Sequence, residues 1–118
     1  NTPMQQAYAD FLTGDRSDEQ LPSFYEQKRN LFLSHLRQTP FRFIPTASTY
    51  FQLADFSEIN TQNDMDFVVD MVKNKGISLI PVSPFFDREI AHRLVRFCFA
   101  KSDTFLTQAG EKLCQIYA

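Results

Sequence analysis

Glycine, cysteine, histidine and tryptophan are scarce in this 118-residue chain, which has three, two, two and none of them. Three glycines cannot build a glycine-rich loop that cradles a phosphate group, which excludes nucleotide-binding motifs of that kind. Two cysteines without a CxxC spacing, together with two histidines, predict neither a disulfide framework nor a zinc site. We therefore expect no bound metal, and a reducing cytoplasm is the expected compartment.

An excess of one charge sign and long apolar runs are also missing. The chain has 12 basic and 14 acidic side chains and a formal net charge of −2. Without a basic stripe or a polybasic segment, nucleic acid and anionic membrane surfaces are poor candidates for partners. The apolar runs are far shorter than the roughly 20 residues that a membrane-spanning helix needs. The sequence predicts no nucleic-acid partner and no membrane partner.

Apolar residues, in contrast, are abundant: 43% of the chain is hydrophobic, and 13 residues are phenylalanine. A chain of this length buries about two thirds of the surface that its unfolded form exposes, which is enough for one core. The composition therefore predicts one compact domain. The chain begins with Asn1 rather than methionine, and we expect it to be a piece of a longer protein.

Four segments carry apolar residues at helical spacing, and four others have the pattern of strands. The first two predicted helices run from Thr2 to Gly14 and from Leu21 to Arg37. The third begins at the capping residues Asn60 and Thr61 and ends at Gly76, and the fourth begins at Ser102. The predicted strands are 41–44, 48–56, 77–83 and 93–100, and a polar linker covers 15–20. This order predicts an α/β (α+β) two-layer sandwich in which helices cover a small, mostly antiparallel sheet of about four strands.

Arg96 lies at the centre of the last predicted strand, in the stretch "HRLVRFCFAK". Strand alternation places it on one face with Leu94 and Cys98, so the guanidinium has apolar neighbours and needs an acceptor. Spacing alone favours a solvated face or an internal ion pair with an aspartate. The alternative is a ligand carboxylate or phosphate, held through two parallel hydrogen bonds. The pattern leaves both possibilities open.

Aromatic residues near the predicted strands raise a related question. Phe85 and Phe86 lie in a loop flanked by prolines, and a loop this apolar is either packed down or lines a pocket. Tyr50 and Phe51 are most simply explained by packing within the core and across strands.

The other polar residues give weaker signals. His35 and His92 come without a nucleophile motif such as GxSxG, so structural roles are predicted for both. Asp64, Asp66 and Asp70 spread around a helix axis, which favours a solvated face over a metal site. None of the five lysines has the apolar setting of a Schiff-base amine, and no catalytic residue is predicted in this chain. These lysines are Lys28, Lys73, Lys75, Lys101 and Lys112.

Four motifs together resemble a known family. "NTPMQQAYADFL", "STYFQLADFS", "GISLIPVSPFF" and "LVRFCFAKSDTFL" occur in the order found in the C-terminal part of class I aminotransferases, which depend on pyridoxal phosphate. They are most similar to the methionine and kynurenine aminotransferase subgroup. The resemblance covers essentially the whole chain. It implies the small domain of aspartate aminotransferase-like enzymes over 17–118, with 1–16 as a helix from the connection to the large domain.

The resemblance also implies a function. Arg96 matches the arginine that binds the substrate α-carboxylate, while the cofactor lysine is expected upstream of Asn1, in the large domain. This chain alone would then bind no cofactor and be inactive. The full-length enzyme, expected to be a homodimer, would move an amino group between a methionine-like, aromatic or kynurenine-like amino acid and a 2-oxo acid. Phe85 and Phe86 would line the substrate pocket.

Two departures from the family pattern affect the turns. Ser48 stands where relatives often have glycine, and Phe86 replaces a tyrosine after the additional Pro84, which removes a hydroxyl group. The alternative hypothesis is a free-standing ligand-binding or regulatory α/β module.

Overall fold

The computed structural model describes residues 1–14, 17–88 and 92–118. In this part of the chain the helices and strands are α1 (Thr2–Thr13), α2 (Leu21–Leu36), β1 (Phe51–Asp55), α3 (Asp64–Lys75), β2 (Ile80–Pro81), β3 (Leu94–Cys98) and α4 (Asp103–Ile116). Short 3-10 helices cover Ser17–Gln20 and Ser83–Phe85. No helix in these described ranges has both the length and the apolar character needed to cross a bilayer.

The strands form one antiparallel sheet in the order β1-β3-β2. β3 is central, and its Arg96 lies opposite Leu53 of β1 and opposite Ile80 of β2. β2 is short because Pro81 has no backbone N–H to extend a ladder. A small antiparallel sheet with helices confirms the predicted fold class.

The predicted strand at 41–44 is wrong in extent. Only Arg42 pairs with β1, through an isolated antiparallel bridge to Asp55. The antiparallel direction agrees with the prediction, but the sheet of the described residues has three strands rather than about four.

The buried side chain of Gln52 explains why this segment leaves the sheet. Its amide nitrogen donates a hydrogen bond to the carbonyl of Ile44 at 2.9 Å, and its amide oxygen accepts one from the N–H of Thr46 at 3.0 Å. Pro45, between them, has no N–H to pair. A side chain therefore satisfies the backbone groups that a strand ladder would otherwise bond.

α3 begins later than predicted. Its N-cap is Asn63, whose side chain accepts a hydrogen bond from the N–H of Asp66 at 2.9 Å. The predicted caps, Asn60 and Thr61, precede the helix, and Asn60 instead accepts a hydrogen bond from the backbone N–H two residues on. The predicted stop is confirmed: Gly76 has a left-handed conformation with φ of 63°.

α1 also differs in detail at both ends. The Thr-x-x-Gln pattern from Thr2 to Gln5 predicts Thr2 as the N-cap. The observed N-cap is Asn1, and no side chain caps the first turn. Gly14 follows the helix but has a φ of −102°, which is not left-handed. Within the predicted linker, residues 15 and 16 lie outside the described residues, as does the predicted domain boundary, and Ser17–Gln20 forms a 3-10 turn.

The core lies between one face of the sheet and the helices α2, α3 and α4. Phe97 of β3, for example, packs against the ring of Phe32 in α2 with centroids 5.2 Å apart, and against the ring of Phe41 at 5.3 Å. The buried core residues are Phe32, Leu33, Leu36, Phe41, Ala54, Phe56, Phe67, Met71, Ile77, Leu79, Val95, Phe97, Phe99, Leu106 and Leu113. α1 buries none of its residues.

α2 and α4 approach each other closely where Gly110 meets His35. A Cβ atom added to Gly110 would lie 2.5 Å from Cγ of His35, well inside the 3.5–4.0 Å at which carbon atoms attract. The carbonyl of His35 also accepts a hydrogen bond from Sγ of Cys114 at 3.5 Å. His35 thus has a structural role at this helix contact, as predicted.

Gly110→Ala is expected to destabilise the protein, although alanine is the better helix former by about 1 kcal/mol. The added methyl group must push α2 and α4 apart, and overpacking of this kind costs about 1–3 kcal/mol. Urea denaturation of the two proteins measures the difference. In a His35→Gly background all three side-chain atoms that obstruct the added methyl group, including Cβ of His35, are gone, so the same substitution should be neutral or stabilising. Equal destabilisation in both backgrounds would contradict this explanation.

Candidate functional site

The sheet face opposite the helices, here called the open face, carries the candidate site. It presents Phe51 and Leu53 of β1, Ile80 of β2, and Leu94, Arg96 and Cys98 of β3. Leu53 and Ile80 are 40% and 37% exposed, whereas Val95 and Phe97, on the other face of β3, are buried. The predicted alternation along this strand is therefore confirmed.

The guanidinium of Arg96 lies between two aromatic rings. Its Cζ atom is 4.8 Å from the ring centroid of Phe51 and 5.2 Å from that of Phe85. Each ring face attracts the cation without using any of its N–H donors. Within the described residues, Arg96 makes no hydrogen bond and no ion pair, so its donor fork is available to a ligand carboxylate.

The acid that shares the open face with Arg96 has other partners. Asp55 accepts a hydrogen bond from the backbone N–H of Ser57 at 2.7 Å. Burial is the largest single influence on this carboxyl and favours its neutral form. The hydrogen bonds from Ser57 and the positive charges of Arg42 and Arg93 outweigh it, so the pKa of Asp55 is lowered. The internal ion pair with an aspartate that the sequence left possible is therefore not formed between Arg96 and Asp55.

Arg96 also lines a cleft of about 460 Å³ between α4, β3 and the segment before β2. Lys101 and Lys112 contribute further positive charge, and no Asp or Glu is among the lining residues, all of which the structure describes. The volume falls within the range of small-molecule sites, about 300–1,000 Å³. The positive charge and the volume of this cleft therefore suit a small anionic molecule with an apolar part.

The two loop phenylalanines lie in different places. Phe85, 65% exposed, contacts Arg96. Phe86 lines a separate cleft together with Asp64, Ser83 and His92. Of the two, Phe85 is the one that contacts Arg96. Lining of the substrate pocket by Phe86 stays a prediction.

Phe51 was missed as a site residue by sequence reasoning, which assigned it to packing. Its position two residues from Leu53 on a predicted strand could have indicated the shared face, but not that β1 pairs with β3. The turn before it is strained, because Thr49 has a φ of 73°. A β-branched residue in this region costs about 1–3 kcal/mol, and such strain is often stored beside functional sites.

The three aspartates of α3 do not form a metal site. Asp64 is buried, which corrects the predicted solvated position, and its carboxylate bonds the backbone near Ser83. Asp66 and Asp70 bond Asn63 and Asn74. In the described ranges no three acidic, cysteine or histidine side chains are grouped so as to hold a metal ion.

The lysines of this chain do not fit a cofactor site. Lys28, the least exposed, forms an ion pair with Asp103 at 2.9 Å, and Lys73, Lys75, Lys101 and Lys112 are exposed to solvent. A lysine that forms a Schiff base is typically desolvated in an apolar pocket. These five lysines therefore do not have the setting of a cofactor-binding lysine.

Comparisons with known proteins identify relatives over almost the whole chain, although no protein-family model matches it. Methionine aminotransferase from Escherichia coli (strain K12) is 37% identical over 117 residues, which cover 98% of this chain and 30% of that enzyme. Kynurenine–oxoglutarate transaminase 3 from Homo sapiens is 34% identical over 130 aligned positions, covering 93% of this chain and 29% of the relative.

Solved structures agree. YbdL from Escherichia coli, identified by its structure and reactivity as having a methionine aminotransferase function, superposes with a TM-score of 0.89 at 37% identity. The match covers 98% of this chain and 31% of that one. N-Succinyldiaminopimelate aminotransferase from Mycobacterium tuberculosis superposes with a TM-score of 0.84 at 27% identity, covering 97% of this chain and 30% of the other.

The fold has helices on one face of the sheet and an arginine on the open face. It is that of a domain found in aminotransferases. The relatives and structural neighbours that match almost the whole chain are class I pyridoxal-phosphate-dependent aminotransferases, among them the methionine and kynurenine enzymes. The chain spans about 30% of the length of the curated relatives that it matches.

Proposed function

We propose that this chain is the small domain of an aminotransferase and that Arg96 binds the α-carboxylate of the amino acid and 2-oxo acid substrates. The observation that carries the proposal is the guanidinium of Arg96. It is held between the rings of Phe51 and Phe85 without a hydrogen-bonding or ionic partner in the described residues. It lies beside a cleft whose charged lining residues are all basic.

Arg96 would contribute position and not proton transfer. A guanidinium stays protonated at any physiological pH, and its planar fork matches a carboxylate through two parallel charge-assisted hydrogen bonds. Both substrates carry this carboxylate, so one residue can orient both. Fixing it sets the geometry of the reacting carbon, which is a large source of rate enhancement.

The aromatic rings at the site suggest the substrate class. Phe51 and Phe85 surround the guanidinium with apolar surface, which suits an amino acid with a methionine-like, aromatic or kynurenine-like side chain. Two relatives are named for methionine and for kynurenine and oxoglutarate, and these names support the same substrate class.

The cofactor and the remaining wall of the site would come from a large domain of the same protein. Two uncovered apolar surfaces support this: the open face, and the stripe of Met4, Tyr8, Phe11 and Leu12 on α1. In this proposal 1–16 forms part of the connection and 17–118 the small domain. The complete enzyme is a cytoplasmic homodimer that uses pyridoxal phosphate, bound by a lysine outside this chain.

Pyridoxal phosphate added to the 118-residue chain should therefore label no single lysine. After borohydride reduction, peptide mass mapping is expected to find at most low, scattered modification of the exposed lysines. The complete protein, treated in the same way, should be labelled stoichiometrically at one lysine outside these residues. Stoichiometric labelling of one lysine within the chain would contradict the proposal.

The free-standing module makes a different prediction for the same chain. If the chain binds an amino acid by itself, calorimetry with methionine, phenylalanine and kynurenine should find tight, saturable binding. We expect no such binding without the large domain, because half of the site is missing. Tight binding would favour the module.

A further inference from the structure

A buried carboxylate holds the turn that carries Phe85. Asp64, at the start of α3, is only 3% exposed. One of its oxygens accepts hydrogen bonds from the backbone N–H groups of Val82 at 2.7 Å and Ser83 at 2.6 Å. The other accepts one from the hydroxyl of Ser83 at 2.7 Å. Three hydrogen bonds thus join α3 to the residues that follow β2.

Asp64 makes these bonds in its charged form. Burial is the largest single influence on the carboxyl and opposes ionisation. The hydrogen bonds from Ser83 and Val82 together outweigh it, so the pKa of Asp64 is lowered. Hydrogen bonds to an ionised acceptor are roughly twice as strong as neutral ones. The turn is therefore firmly attached at neutral pH.

Phe85 depends on this attachment for its position. The turn closes through its own backbone, from the N–H of Phe85 to the carbonyl of Val82 at 3.1 Å. The Phe85 side chain is 65% exposed, so burial contributes little to its position. The backbone of the turn, and not packing, keeps the ring 5.2 Å from Cζ of Arg96.

We propose that Asp64 is a positioning residue for substrate binding, acting through Ser83 and Phe85 on Arg96. The three hydrogen bonds of Asp64 fix the position of the turn, and the turn fixes the ring of Phe85. Contact with this ring keeps the guanidinium of Arg96 in the orientation that binds a carboxylate. This inference rests on the proposed role of Arg96, which it extends from the open face to a residue of α3 that does not contact the site.

The expected effect is on binding more than on turnover. When Phe85 no longer contacts Arg96, the arginine side chain becomes more mobile. Each substrate must then immobilise it on binding, which costs about 0.5–1.5 kcal/mol for a flexible side chain. At about 1.4 kcal/mol per factor of ten, KM should rise about 2- to 12-fold for both substrates with kcat nearly unchanged. A loss of general stability would instead reduce the amount of active enzyme without changing KM.

Kinetics of Asp64 variants in the complete protein test this. Asp64→Ala should raise KM for the amino acid and for the 2-oxo acid by similar factors. Asp64→Asn, which retains an acceptor for the N–H groups of Val82 and Ser83 but loses the charge, should restore part of the affinity. The matched control is Asp66→Ala, which removes a carboxylate from the same helical turn without touching the 82–86 turn, and should leave KM unchanged. If Asp64→Ala does not fold, Ser83→Ala removes one of the three bonds and should raise KM slightly.

A measurement independent of activity separates this inference from the proposed function. In NMR spectra, the Nε–H signal of Arg96 should be displaced by the ring current of Phe85. The displacement should shrink in Asp64→Ala and return in part in Asp64→Asn. An unchanged Arg96 signal in Asp64→Ala, or equal KM values for Asp64→Ala and Asp66→Ala, overturns the inference. If Arg96→Ala leaves KM unchanged while the signal responds as expected, the positioning holds and the proposed carboxylate role fails.

Discussion

If Arg96 has the proposed role, its replacement by alanine is expected to lower kcat/KM of the proposed aminotransferase by about 30-fold to several thousand-fold. Removing one partner from a close charge pair costs about 2–5 kcal/mol, and each 1.36 kcal/mol is a factor of ten. The loss should be similar for the amino acid and the 2-oxo acid, because both present a carboxylate. Steady-state kinetics with both substrates measure it.

Two further variants make the result specific. Arg96→Lys keeps the positive charge but loses the planar fork and much of the stacking between Phe51 and Phe85, so it should recover only part of the activity. Arg42→Ala removes an exposed arginine at the edge of the sheet, where it forms an ion pair with Glu58, and should leave kcat/KM unchanged. Unchanged kinetics for Arg96→Ala would remove Arg96 from the substrate site.

The largest expected loss of stability follows from Phe67→Ala. Phe67, in α3, is 2% exposed. Its ring stacks on that of Phe56 with centroids 4.0 Å apart and meets the ring of Phe41 at 6.2 Å. Truncation removes these contacts and leaves a cavity between α3 and the sheet, at a cost of about 3–5 kcal/mol. The total free energy of unfolding of a domain of this size is about 5–15 kcal/mol, so the urea concentration at the unfolding midpoint should fall steeply.

Variants on the same helix supply the comparison. Val69→Ala, at a position 45% exposed, should change the free energy of unfolding by less than about 0.5 kcal/mol. Phe67→Leu, which fills more of the cavity, should lie between the two. A Phe67→Ala midpoint close to that of Val69→Ala would mean that the aromatic stack contributes little to stability.

Helix positions and fold class followed from the sequence because their signals are local. Apolar spacing and caps place α2 and α4 within one residue of their observed starts, and Gly76 ends α3 because glycine tolerates a left-handed conformation. Alternation along β3 puts Arg96 on the face away from the core. Each of these signals depends on neighbours within a few residues, so periodicity is sufficient to find it.

The sequence-based predictions were wrong where a side chain from another part of the fold takes the place of a hydrogen-bonding partner nearby in the chain. The segment 41–44 has a strand pattern, but the amide of Gln52 bonds the carbonyl of Ile44 and shortens the pairing to one bridge. Asp64 has the spacing of a solvated helical residue, yet it bonds backbone groups 18 and 19 positions away. No periodicity in the sequence reports either contact.

The sequence by itself determined that α3 ends at Gly76, that Arg96 lies on the face of β3 away from Val95 and Phe97, and that its guanidinium needs an acceptor. Four ordered motifs also carried the likeness to class I aminotransferases. Only the tertiary structure decided what surrounds Arg96, because β1 and the turn after β2 bring Phe51 and Phe85 to it from 45 and 11 positions away in the chain. It also decided that the nearby Asp55 is engaged elsewhere, which leaves the guanidinium's donors unpaired within the described residues. A charge on a strand acquires its role from side chains that the fold brings together, and their distances are set by strand pairing rather than by spacing along the chain.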